Sequence, residues 1–350
     1  MKKTIKINFK YFPEGFNPKD NFFTNILRKN YNVVIDENPD CLFYSVYPES
    51  KNLPRDLSKK GDIIRKISPM LYIILRKIYS KLNSIFKPSR LQPPKGNFIK
   101  IFYASEHVKP KMEECDWAFG SHFEEEINHP RYIRLPIYIV TDYNLKNLGI
   151  PPIKKKINFE KIKREKTKFC NFIYSQDIAF RNDFFKKLSK YKEIDAPGRC
   201  MNNMPSIGGY SSPKKSRSSD GWVIEKLKFL KPYKFTIAFE NASSPGWVTE
   251  KLTNPMLVNS IPIFFGDKSV YRDFNTKSFI NYHDFENMEE FIKHIIKVDK
   301  DNELYKKYLE QPFYNGNKIP KYMNSKYYLK ILAKILEEKL TRKRIKPGLV

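Results

Sequence analysis

The residues whose types and spacing can do chemistry lie between positions 233 and 266, in YKFTIAFENASSPGWVTEKLTNPMLVNSIPIFFG. The pattern predicts a buried strand ending at Glu240 and Asn241, then a loop of small residues through Gly246. A helix opens near Val248, with Thr249, Glu250 and Lys251 in its first turn. Backbone N–H groups at a helix start have no intrahelical partner and sit at the positive end of its dipole, so this junction suits a phosphate. Lys251 adds a full positive charge beside it. The Glu250 carboxylate only accepts hydrogen bonds, which suits ribose hydroxyls. Trp247 offers a flat face for a base or a sugar ring. Pro255 falls inside the expected helix and should kink it, freeing the carbonyl of Lys251.

Such a junction must be held by a sheet, and the surrounding pattern supplies one on each side of the chain's middle. In the first half, 4–9, 31–35, 41–46, 98–103 and 116–119 read as strands, several almost continuously apolar, as in parallel sheets buried on both faces. Helical spacing runs through Phe22, Phe23, Ile26 and Leu27. A lysine-rich stretch, 154–168, reads as a linker or an exposed helix. The alternation then restarts: strands at 168–174, 233–239, 261–265 and 279–282, with helices at 179–191, from about 248, and at 288–298. Two such halves predict two Rossmann-like α/β domains facing a central cleft, with ligands beyond the carboxyl ends of the strands. The expected division is 1–160 with an insertion at about 51–95, then 161–316, then a basic amphipathic tail at 317–350.

Composition bounds the rest. The chain has 350 residues, 65 Lys and Arg against 38 Asp and Glu, and a formal charge of +27. That field attracts polyanions, whether nucleic acid, anionic lipid or phosphorylated small molecules. No helix-turn-helix, zinc-finger or RRM signature is present, and the charge gathers in linkers and tails, so nucleic acid is not the expected partner. Amphipathic basic stretches at 63–87 and in the tail (Tyr328, Leu332, Ile335, Leu336 and Leu340 on one face) resemble helices lying on an anionic membrane surface, with docking on the protein itself as the alternative. Cys41, Cys115, Cys170 and Cys200 form no CxxC pair, which argues against a zinc site or a disulfide framework. The N-terminus lacks the apolar stretch of a secretory leader, and no run of 18 apolar residues is present, so a cytoplasmic protein at the inner face of a membrane is expected. His122 with Glu124, Glu125 and Glu126 reads as an exposed acidic turn rather than a metal cluster. The D-x-D of Asp299-Lys300-Asp301 reads as a solvated turn.

The order F-E-N, then G-aromatic-V-T-E-K, then P-I-x-x-G resembles the signature of the α-1,3/1,4-fucosyltransferases, family 10 of the glycosyltransferases. YASEHVKP (103–110) is similar to that family's acidic motif, CDWAFGSH and RYIRLPIY to the segments after it, and AFRNDFF to a segment carrying a phosphate-binding arginine. The likeness covers roughly 98–316. It implies a GT-B fold and inverting transfer of L-fucose from GDP-fucose to an N-acetylglucosamine-containing glycan, by a single displacement. It implies Glu106 as the general base, and Arg181 and Lys251 as diphosphate ligands. Glu240, Asn241, Trp247, Thr249 and Glu250 would line the donor pocket, and Arg199 is a further phosphate candidate. No metal is implied as a required cofactor, since Arg and Lys would do that work. His107 stands where the family usually has Asn, and Trp247 where it more often has Tyr. A relative using another nucleotide sugar, and a glycan-binding protein without turnover, are the alternatives.

Overall fold

The computed structural model describes residues 2–13, 15–47, 91–104, 106–141, 151–207 and 220–344. Most of the expected 51–95 insertion, including the 63–87 stretch, lies outside them. Six strands form the first sheet: β1 (Lys3–Lys10), β2 (Tyr31–Ile35), β3 (Cys41–Tyr44), β4 (Ile99–Tyr103), β5 (Trp117–Gly120) and β6 (Tyr132–Arg134). Five form the second: β7 (Lys168–Asn171), β8 (Ile194–Asp195), β9 (Tyr233–Phe239), β10 (Ile261–Phe265) and β11 (Ile280–Asn281). The spatial orders are β2-β1-β3-β4-β5-β6 and β11-β10-β9-β7-β8, and every pairing is parallel. Both sheets are therefore doubly wound, and strand order reverses between β1 and β3 in one and between β7 and β9 in the other. Ligands in such sheets bind outside the carboxyl ends at that reversal.

The continuous apolar runs behave as parallel strands under helices should. Ile237, Ala238 and Phe239 of β9, and Ile261, Ile263 and Phe264 of β10, are all buried. Phe184, Phe185 and Leu188 cover one face from the helix Ala179–Ser189, and Phe291, Ile295 and Val298 come from the helix Met288–Lys300. Strands β6 and β8 and the helices Asp220–Leu230 and Asn302–Glu310 were not foreseen. The two strands have only three and two residues, too few for a periodic signal. Within 154–168, the segment Phe159–Glu165 is helical, with the Asn158 side chain accepting from the Lys161 N–H.

Two expectations are corrected. The helix Ser325–Arg344 buries Tyr328, Leu332, Ile335 and Leu336 in the core of the first sheet, where the Tyr328 ring meets Phe22 edge-on at 5.4 Å. That apolar face is occupied by the protein itself, because the first sheet and its helix Phe22–Leu27 present an apolar surface within the same chain. Asp299 is not a solvated turn residue. Its side chain is 2% exposed and accepts from Lys192, from Lys234 at 2.7 Å and from Tyr191 at 2.9 Å. Burial demands such partners for a carboxylate.

Two chain crossings run between the domains side by side. The Lys154 N–H donates to Asn317 Oδ1 at 2.8 Å, Asn317 Nδ2 donates back to the Lys154 carbonyl at 2.9 Å, and the Tyr314 hydroxyl donates to the Pro151 carbonyl at 2.7 Å. A buried ion pair adds a third tie: Arg134 of β6 donates through both terminal nitrogens to Asp273, at 2.7 and 2.6 Å.

Candidate active site

The donor-side junction forms where β9 ends. Glu240 is buried, and its Oε1 accepts from both the Thr249 N–H at 2.8 Å and the Thr249 hydroxyl at 2.7 Å. Its Oε2 accepts from Lys251 Nζ at 2.8 Å, and Nζ also reaches Thr249 Oγ1 at 3.2 Å. Both oxygens of Glu240 are thus engaged inside the protein. The residue thereby anchors Lys251 at the start of the helix. Thr249 caps the helix Glu250–Leu257, its side chain accepting from the Lys251 N–H. Pro255 lies within that helix, whose last turn it does not prevent.

Charge on this junction is set by neighbours. Burial would lower the Lys251 ammonium's pKa, but Glu240 and Glu250 outweigh it and hold the pKa above its usual value. Burial would raise the Glu250 carboxyl, yet Lys226 and Lys251 hold it below the usual carboxylate range. Lysine 251 therefore stays cationic and Glu250 stays an acceptor at neutral pH. Across the β7/β9 reversal, Arg181 is 1% exposed. It donates to Asn241 Oδ1 at 3.2 Å and to the Gln176 carbonyl at 2.8 Å, and its guanidinium lies 3.7 Å from the Tyr174 ring centre. Arg199 is exposed on a loop pressed against the same tyrosine: a Cβ on Gly198 would stand 2.3 Å from the Tyr174 carbonyl oxygen. Arg181, Arg199, Asn241 and Lys251 thus gather around the carboxyl ends of β7 and β9.

Groups of the first domain follow β3, β4 and β5. Glu106, three residues beyond β4, is exposed and accepts from the Tyr47 hydroxyl at 2.7 Å. The next residue, His107, stacks on His122 with ring centres 4.6 Å apart and meets Trp247 edge-on at 5.7 Å. These contacts bring the base candidate's loop against the donor loop. Trp247 is only 8% exposed, so it wedges between the loops more than it offers an open stacking face. Burial, reinforced by His107 and Lys109, pushes the His122 imidazole down to about 4, so it is neutral at ordinary pH.

The approach of the two domains depends on Gly246. Its φ is +73°, and a Cβ there would stand 2.2 Å from the Ser121 carbonyl oxygen; both facts require glycine. Its N–H donates to Asp267 Oδ2 at 2.8 Å, while Arg134 Nε donates to the same Ser121 carbonyl at 3.2 Å. Sequence reasoning missed Tyr47, His122 as a site residue, Arg134, Asp267 and Asp273. Among these, the CDWAFGSH segment carried a signal for His122 and the RYIRLPIY segment one for Arg134. Among the described residues no group of three or more His, Cys, Asp or Glu stands close enough to hold a metal ion, and the acidic 124–126 turn pairs instead with Arg272 through Glu125. No described helix is long and apolar enough to cross a membrane.

Two parallel, doubly wound α/β sheets, with loops of the two domains in contact at His107 and Trp247, are the architecture of the GT-B class of glycosyltransferase fold. Residues 163–334 match the family model described as glycosyltransferase family 10 (fucosyltransferase) C-term, and residues 7–57 and 78–141 match the α-(1,3)-fucosyltransferase FucT N-terminal domain. The chain belongs to glycosyltransferase family 10, the fucosyltransferases. It is 30% identical to the α-(1,3)-fucosyltransferase FucT of Helicobacter pylori over 226 residues, 57% of this chain and 44% of that protein. It is 34% identical to α-(1,3)-fucosyltransferase B of Drosophila melanogaster over 146 residues, 41% of this chain and 32% of that one. The matched region is thus less than half the length of each of these curated relatives. A crystal structure of an α1,3-fucosyltransferase with GDP-fucose aligns over 96% of this chain and 91% of its own, with a TM-score of 0.64 at 23% identity, a likeness of fold.

Proposed function

We propose that this chain is an inverting transferase that moves L-fucose from GDP-fucose to a hydroxyl of an N-acetylglucosamine-containing glycan, in α-1,3 or α-1,4 linkage. The observation that carries the reading is Lys251, pinned by the buried Glu240 at a helix start, on the domain opposite Glu106. In this mechanism Glu106, oriented by the Tyr47 hydroxyl, takes the acceptor proton as its oxygen attacks the anomeric carbon. Lys251 and Arg181 stabilise the charge that grows on the departing diphosphate. Glu250 accepts from the ribose, and Asn241 steers Arg181. Because base and cations sit on different domains, the reaction requires the contact made by His107, Trp247 and Gly246.

A lipid-linked acceptor in surface polysaccharide or lipopolysaccharide fits a cytoplasmic setting at a membrane's inner face. That part of the proposal rests on the basic patterns at 63–87 and 342–346, since the apolar face of the last helix is already covered. A donor other than GDP-fucose is the second reading, favoured by Trp247 where Tyr is usual. Donor hydrolysis and transfer across GDP-fucose, GDP-mannose and UDP-sugars separate the two. Calorimetric titration with GDP and with UDP tests both at once: uptake of neither overturns the enzyme reading.

A further inference from the structure

Beyond Phe265, where β10 ends, the chain lines an open hollow of about 520 Å³ whose wall includes Lys268, Tyr271, Thr276, Asn281, His283 and Asp284. We infer that this hollow holds a sugar residue of the acceptor glycan remote from the reacting hydroxyl; the inference rests on the glycan-transfer reading above.

The lining chemistry selects the class of ligand. Tyr271 is 60% exposed, an unusual setting for a large ring beside a concave surface, and its face is open for stacking on the C–H side of a pyranose. Around it stand a hydroxyl (Thr276), an amide (Asn281), an imidazole (His283) and a carboxylate (Asp284), which mix donors and acceptors as sugar hydroxyls require. Lys268 and Asp284 offset one another, so the hollow has no cationic excess for a phosphate. Its size suits a small polar ligand.

Position ties the hollow to the reaction. His283 Nε2 hydrogen-bonds the Gly266 carbonyl at 2.9 Å, and a Cβ on Gly266 would lie 2.9 Å from Cγ of Glu240, the anchor of Lys251. The neighbouring Asp267 holds the Gly246 N–H. Arg272, next to Tyr271, crosses to the first domain, its guanidinium 3.6 Å from the Phe123 ring centre and paired with Glu125. The hollow therefore lies on the second domain beside the seam where the loops of the two domains meet, with Gly266 and Glu240 between its His283 and Lys251. Asn281 Nδ2 donates to Asp284 Oδ1 at 3.0 Å, which fixes that polar wall before a ligand arrives and lowers the ordering cost of binding.

The test compares two lengths of one acceptor, N-acetyllactosamine and its linear hexasaccharide repeat, with full-length wild type, Tyr271→Ala, Tyr271→Trp and Asp284→Ala. Wild type is expected to prefer the hexasaccharide through a lower KM. Tyr271→Ala should cut the hexasaccharide-to-disaccharide ratio of kcat/KM about fivefold or more, Tyr271→Trp should restore it, and the KM for GDP-fucose should not move. An unchanged length ratio in Tyr271→Ala overturns the inference. If wild type transfers to neither acceptor, the fucosyl-transfer reading fails on its own. Saturation-transfer NMR with the hexasaccharide then decides the hollow: signal lost in Tyr271→Ala supports the site, and equal signal removes it.

Discussion

Replacing Asp273 with Ala isolates the tie between the domains. The Arg134 and Asp273 side chains are 8% and 2% exposed and joined at 2.6 and 2.7 Å. Removing one partner of a buried pair leaves an uncompensated charge and costs about 3–5 kcal/mol. Here the stranded group is a guanidinium 4.3 Å from the Phe123 ring centre, whose Nε donates to the Ser121 carbonyl. The Tyr138 and Tyr322 hydroxyls, which both donate to Asp273, lose their acceptor as well. At roughly 2–4 °C per kcal/mol, the midpoint of calorimetric unfolding should fall by about 10 °C. Arg134→Met should cost a similar amount. The double variant Arg134→Met with Asp273→Leu should cost less than the two singles together, because an apolar pair leaves no buried charge. Transfer measured well below the midpoint should fall too, since Arg134 also holds the Ser121 carbonyl against Gly246. A drop of under about 2 °C in Asp273→Ala, or strictly additive losses in the double variant, refutes the argument that the pair is a buried, coupled tie.

Three further outcomes are expected. Glu106→Gln should lower transfer by about 10²- to 10⁴-fold while calorimetry shows GDP binding intact; near-normal turnover removes Glu106 as base. Lys251→Ala should weaken GDP binding by about tenfold to a hundredfold, as the loss of a charged hydrogen bond implies. Glu240→Gln should weaken it in the same direction by releasing Lys251, so a wild-type GDP affinity in Glu240→Gln rules out the positioning role. His122 is held neutral in the folded protein down to about pH 4, whereas the unfolded chain takes up its proton near 6.5. Its contribution is therefore complete above pH 6.5 and lost as pH falls from there to about 4, worth up to about 3 kcal/mol. Urea unfolding at pH 7 and pH 4.5 should show a smaller acid loss for His122→Gln than for wild type; equal losses exclude this residue as the source.

What the sequence determined by itself is what local pattern encodes. Apolar runs of strand length marked β9 and β10 to the residue, because a strand buried on both faces is apolar almost throughout. The small-residue loop, the capping Thr249 and the adjacent Lys251 marked the phosphate-binding junction, because a helix start needs those types within a few positions. Nothing comparable marked β8, which is two residues long and exists only because β7 pairs with it.

The tertiary structure alone decided which distant groups meet. Arg134 and Asp273 are 139 positions apart, and no period links them. The same holds for the ring contacts of His107 with His122 and Trp247, and for Glu240, whose two oxygens engage Thr249 and Lys251. The amphipathic stripe at 328–336 is equally suited to a membrane or to a protein core. Only the first sheet's apolar face, folded within its reach, settled that it packs inward, since hydrophobic burial has no direction of its own and takes whichever apolar partner the fold brings near.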